Sequence, residues 1–186
     1  MAVVAVTATE RKRLSINQLG LWLFFLSESF LFAALATGRF YVAGTDRPED
    51  LDQLLGLGIT SILLVSSLTA YRAEVAIAHG DRKNFLRFLA ATMLLGLVFV
   101  VGVGFEWTSA EFSPSDPFGT AFFSMTGLHA LHVISGILML GMVFYLGARG
   151  SFSEERHWGV EATIKYWHFV DVVWVFFYPI LYLIEW

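Results

Sequence analysis

The residues of this chain that could do chemistry are few and sit in unusual company. Glu28 lies between Ser27 and Ser29 in LFFLSESFLFAAL (23–35), otherwise almost pure hydrocarbon. His129 and His132 share TGLHALHVISG (126–136), with the i, i+3 spacing that lets two imidazoles serve one metal. Glu161, Lys165, His168 and Asp171 recur at steps of four, three and three, which places them on one helix face. Glu106 stands in FEW (105–107). Each group reads two ways. With Glu28 or Asp171 the two histidines could ligate zinc or iron, yet paired histidines in a membrane helix more often bond between helices. Glu28 is either a proton-relay or ion-binding group, or a protonated carboxyl bonded to a neighbouring helix. His168 with Asp171 reads as a hydrogen-bonded lock, and Glu161 with Lys165 as an i, i+4 pair near the membrane interface.

The elements that must position these groups follow from composition. Of 186 residues, 56% are hydrophobic and only 15% charged, against about 45–50% and about 25% in soluble domains. A soluble domain of this length cannot hide so much apolar surface, so the bilayer is its solvent. Five segments reach the ~20 apolar residues that a crossing needs: 17–43, 51–78, 85–108, 118–148 and 160–185. Polar, glycine- or proline-bearing breaks separate them. The expected organisation is a polar N-terminal arm, residues 1–16, and one five-helix domain, residues 17–186. A basic cluster at Arg11, Lys12 and Arg13 precedes a long apolar run without a small-residue cleavage site, which reads as a retained anchor.

Orientation follows from the short loops. Ten Lys or Arg residues fall on the side of the N-terminus and only Arg39 and Arg47 on the other. The N-terminus is therefore expected in the cytoplasm and the C-terminus outside, in the periplasm. Glu28 then lies about 16 Å into the first helix at ~1.5 Å per residue, near mid-membrane. An ionisable group there costs about 2.5–3.5 kcal/mol, so the polar residues should face one another inside the bundle. The many Phe residues, Trp107, Trp186 and Tyr182 read as bundle core, lipid contact or interface belt.

Several classes drop out. The chain has no cysteine, which removes disulfides and thiolate metal sites. A net charge of −4 gives no reason to expect nucleic acid. Of five histidines, His79 and His157 fall in turns, leaving three in the membrane. Three are too few to hold haems and a copper ion.

LSESFLF (26–32), HGDRKNFL (79–86), FEW (105–107), GLHALHVISG (127–136) and YWHFVDVVWVFFYPILYL (166–183) occur in this order. Together they closely resemble subunit III of the haem-copper terminal oxidases, in a short five-helix bacterial form without the first two helices of the long form. The resemblance implies an all-α, up-and-down bundle docked on catalytic subunit I, in the bacterial cytoplasmic (inner) membrane. It implies a non-catalytic subunit of a proton-pumping cytochrome c oxidase, one that stabilises subunit I and supports proton uptake and sustained turnover. No cofactor is expected on this chain; haem and copper belong to partner subunits I and II. A small subunit IV and membrane lipids are further candidate partners. Glu28, Glu106, His129, His132, Glu161, His168 and Asp171 match buried polar positions of the family. The equivalent subunit of a quinol oxidase or of nitric-oxide reductase is the alternative. An independent ion or metal transporter would need inverted repeats or broken helices, and neither is visible.

Overall fold

The computed structural model describes residues 8–49 and 51–185. The first seven residues of the expected polar arm, and Trp186 of the expected interface belt, lie outside the described residues. Five long helices carry the chain: α1 (Ala8–Ala43), α2 (Gln53–Ala78), α3 (Arg82–Ser109), α4 (Pro117–Ala148) and α5 (Trp158–Tyr178). Each is long and apolar enough to cross a membrane. Among the described residues there is no β-strand, only an isolated bridge between Ser153 and Arg156. α1 continues through the basic residues at 11–13, upstream of its apolar part.

The turns explain where the helices stop. At the α2–α3 turn Gly80 takes φ +71°, a left-handed conformation that favours glycine, and Asp81 N–H returns to the Ala76 carbonyl at 2.9 Å. Asp81 then caps α3. Its carboxylate accepts from the Asn84 backbone at 3.1 Å and from the Asn84 amide at 2.6 Å. These two bonds, the backbone one first, hold the Asp81 carboxyl below the usual aspartate range. Arg82 reaches across to the end of α4, where its guanidinium donates to the carbonyls of Gly147, at 2.9 Å, and Ala148. It thereby satisfies oxygens that have no partner inside the helix.

α5 is the hub. It packs against α2, α4 and α1, whereas α1 contacts mainly α4 and α5 rather than its sequence neighbour α2. Two tryptophans of α5 are fully buried, and each finds a hydroxyl on α2. Trp167 Nε1–H donates to Ser66 Oγ at 3.0 Å, and Trp174 Nε1–H to Thr60 Oγ1 at 2.9 Å. Both hydroxyls in turn donate to carbonyls of their own helix, so neither polar atom is left bare in hydrocarbon. The Trp167 ring lies in a slot that Gly96 of α3 and Gly136 of α4 leave open. The outer surface is apolar: Leu94, Val101, Leu131, Leu138, Met142 and Phe176 are all exposed, as a lipid-facing surface requires.

After Tyr178 the helix widens into one π-helical turn, Pro179–Leu183, closed by Ile184 N–H on the Pro179 carbonyl at 3.0 Å. Pro179 has no N–H to donate and its ring crowds the preceding turn, which accounts for the break in the regular ladder.

Two outcomes follow. A Cβ at Gly96 would sit 2.5 Å from the Trp167 ring, whereas one at Gly104 meets nothing within 4 Å. Gly96→Ala should therefore cost about 1–3 kcal/mol, while Gly104→Ala should be neutral or slightly stabilising; thermal melts in lipid nanodiscs distinguish them. Because its folded pKa is depressed, the Asp81 cap contributes fully above the unfolded value of about 3.9 and is lost as pH falls through the lower folded value. Hydrogen-exchange protection at the start of α3 should fall on that acidification, and Asp81→Asn should abolish the pH dependence.

Candidate functional site

The polar residues expected to face inward are distributed along the bundle rather than gathered at one point. Glu28 of α1 meets His132 of α4, with Oε2 and Nε2 3.1 Å apart and both side chains largely buried. His132 Nδ1 lies 2.9 Å from the Leu128 carbonyl, which can only accept, so Nδ1 carries a hydrogen. Nε2 then either accepts from a protonated Glu28 or, as imidazolium, donates to its carboxylate. The two arrangements contain the same number of protons. Phe32 packs edge-on to the His132 ring at 4.8 Å, and Phe25 stacks on Phe169 of α5 at 4.9 Å. These contacts fasten an α1 that otherwise exposes most of its length.

His129 turns elsewhere. It is fully buried beside Trp174, 4.7 Å between ring centroids, with Phe99 at 5.5 Å. Its Nε2–H donates to the Val170 carbonyl of α5 at 3.1 Å, and its Nδ1 has no partner among the described residues. The i, i+3 histidines therefore serve two separate contacts. Among the described residues no three His, Asp or Glu side chains form a group that could hold a metal ion.

On α5, His168 Nδ1 pairs with Ser67 Oγ of α2 at 2.7 Å, one residue beyond the Trp167–Ser66 bond on each helix. Asp171 is buried, and neither of its oxygens has a hydrogen-bond partner among the described residues. The lock expected of His168 and Asp171 is centred on Ser67: His168 bonds its hydroxyl directly, and the Asp171 carboxyl lies beside the same hydroxyl without a hydrogen bond of regular geometry. Glu161 accepts from Lys165 at 2.9 Å and lies 3.5 Å from His157. Lys165 also sits 5.0 Å over the Trp158 ring. Between α1 and α5 runs an open groove of about 640 Å³, walled by Trp22, Phe25, Phe169 and Val172 and bordered by Lys165 and His168.

Glu106 is buried near the far end of α3, where both carboxyl oxygens contact the Tyr182 hydroxyl, at 2.9 and 2.8 Å. Sequence reasoning grouped Tyr182 with the core and belt aromatics and missed this partnership. The available signal was Pro179 three residues earlier, which rephases the helix. Ser66, Ser67 and Thr60 were likewise not singled out, though hydroxyls in an apolar helix facing a Trp- and His-bearing one are the natural acceptors. Arg39, used before only as a charge to count, is fully buried; it donates to the Gly44 and Asp46 carbonyls and stacks over Phe118 of α4 at 5.1 Å.

Glu28→Ala should leave the His132 Nε2 unpaired and weaken the α1–α4 contact by about 1–3 kcal/mol. Glu28→Gln, whose amide N–H can donate to a neutral Nε2, should cost clearly less. Proteolytic release of α1 in detergent, followed over time, checks the ranking.

The described geometry is that of a bundle whose polar groups mostly bind one another, and the comparisons agree in kind. Residues 7–186 match the family described as cytochrome c oxidase subunit III. The chain is 37% identical to cytochrome c oxidase subunit 3 of Dugong dugon over 176 residues, 88% of this chain and 67% of that protein. The Gadus morhua protein of the same name is 36% identical over an equal span. The Loxodonta africana protein is 44% identical over 124 residues, 66% of this chain and 48% of its own length. The chain thus covers between about half and two thirds of these relatives. An all-helical membrane bundle carrying this ordered polar inventory, matched along nearly its full length, belongs to the cytochrome c oxidase subunit III family.

Proposed function

We propose that this chain is the non-catalytic subunit III of a proton-pumping haem-copper cytochrome c oxidase of aerobic respiration. It lies in the bacterial cytoplasmic membrane, with its N-terminus in the cytoplasm and its C-terminus in the periplasm. Oxygen is reduced to water in the partner subunits I and II, which hold the haem and copper. This chain stabilises subunit I and supports proton uptake and sustained turnover, with a small subunit IV as a further companion. The observation that carries the reading is the family match over residues 7–186.

The polar inventory supports a structural part for most of the predicted residues. His132, His168 and His129 each join two helices, and Glu161 is engaged with Lys165. The α1–α5 groove suits a membrane lipid. An acyl chain would lie along Phe25 and Phe169, with its phosphate toward Lys165 at the cytoplasmic end.

The decisive experiment is a mass-spectrometric inventory of the complex purified in mild detergent, together with its haem spectrum. Co-purification with a much larger haem-bearing subunit and a copper-binding subunit II is the expected result. Recovery of the chain only as a free monomer would overturn the proposal. In such a complex Glu28→Gln should leave the initial oxygen-reduction rate within about twofold of the parent. An immediate near-complete loss would place Glu28 on an obligatory proton path.

A further inference from the structure

The outer end of the bundle, where α2, α3 and the π-helical turn meet, contains a pair of groups that the subunit's proposed role does not use. Glu106 is buried, and no Lys, Arg or His nitrogen among the described residues lies within 4.0 Å of it. Among the described residues its single hydrogen-bonding side-chain partner is the Tyr182 hydroxyl, which is itself fully buried and touches both carboxyl oxygens at near-equal distance. The surroundings are apolar or neutral. Phe122 of α4 packs edge-on to the Tyr182 ring at 6.2 Å, Tyr178 stacks on it at 5.1 Å, and Gly56 of α2 lies beneath it. Asp52, at the N-cap of α2, is the nearby charged group, and its sign is the same as that of a carboxylate.

The hydrogen count decides the state of this pair. An ionised Glu106 would have one phenolic hydrogen shared between two oxygens, with no cation to balance a charge removed from water. A protonated Glu106 satisfies every polar atom. The phenol O–H donates to one carboxyl oxygen, and the carboxylic O–H donates back to the phenol oxygen, which accounts for two contacts of 2.8 and 2.9 Å from one hydroxyl. We propose that Glu106 and Tyr182 form a proton-holding site at the outer end of the bundle, a neutral carboxylic acid and a phenol in reciprocal hydrogen bonds.

The π-helical turn is what builds it, because Pro179 rephases the chain so that Tyr182 enters the space above Gly56. A Cβ at position 56 would come within 2.6 Å of the Tyr182 ring, so the site also needs the missing side chain there. The proposal is independent of how the chain contributes to oxygen reduction, since it concerns only atoms of this chain.

Infrared difference spectroscopy tests it, on the chain in lipid nanodiscs with whatever subunits accompany it, near neutral pH. Wild type minus E106Q should show a protonated-carboxyl C=O band that shifts down in D2O. In Y182F the same band should persist but move to higher frequency, because its hydrogen-bond partner is gone. Where E106Q does not accumulate, the comparison of wild type with Y182F carries the test alone. A carboxylate stretch in place of the C=O band in the E106Q difference, or a C=O region unchanged by Y182F, would overturn the proposal.

Discussion

The absence of water along the helices is the constraint from which the rest of this structure follows. A polar atom that meets only hydrocarbon forfeits the hydrogen bonds it had outside, so each must be answered by another part of the chain. The bundle does this with small, repeated devices rather than with one central network. A hydroxyl on α2 accepts from an indole on α5 and donates to its own helix, twice, at Ser66 and Thr60. A third hydroxyl, Ser67, meets His168. Hydrophobic association between helices is weak in lipid, so these bonds and the close approach of small residues set which helices are neighbours. α5, whose Trp167, His168 and Trp174 all bond to α2, is the most deeply buried of the five.

α1 is governed by the same constraint with fewer resources. It has few contacts and long exposed apolar faces, and its one strongly polar group at depth is Glu28. The Glu28–His132 pair is therefore both the answer to a buried carboxyl and a large part of what orients the helix. The aromatic contacts of Phe25 and Phe32 complete the attachment. A helix held this way can tilt or be re-covered by lipid or protein without disturbing the α2–α5 core.

Much of this was legible in the sequence, for a definable reason. Apolar run lengths and polar breaks reveal crossings directly, because the bilayer imposes a length. Depth can be counted along a helix, so Glu28 and His132 could be recognised as groups that must find partners. Which partner each would find was not legible. His129 and His132 share a motif and a spacing, yet they turn to α5 and α1 respectively, since a three-residue step on a helix still leaves room for different rotamers and neighbours. Tyr182 was hidden for another reason. Its direction depends on a local change in helical period, and a pattern read at 3.6 residues per turn misplaces every residue beyond it.

That change of period has a consequence for how the end of the chain tolerates alteration. A π-helical turn holds one residue more than an α-helical turn, so in angular terms the chain beyond Pro179 behaves as if a residue had been inserted. A variant that returned this turn to regular α-helix would swing everything after it by about 100° around the axis, without changing the sequence of a single contact residue. Tyr182 is thus phase-sensitive. Its neighbours Gly56 on α2 and Glu106 on α3 are met through the count of residues per turn as much as through their identities.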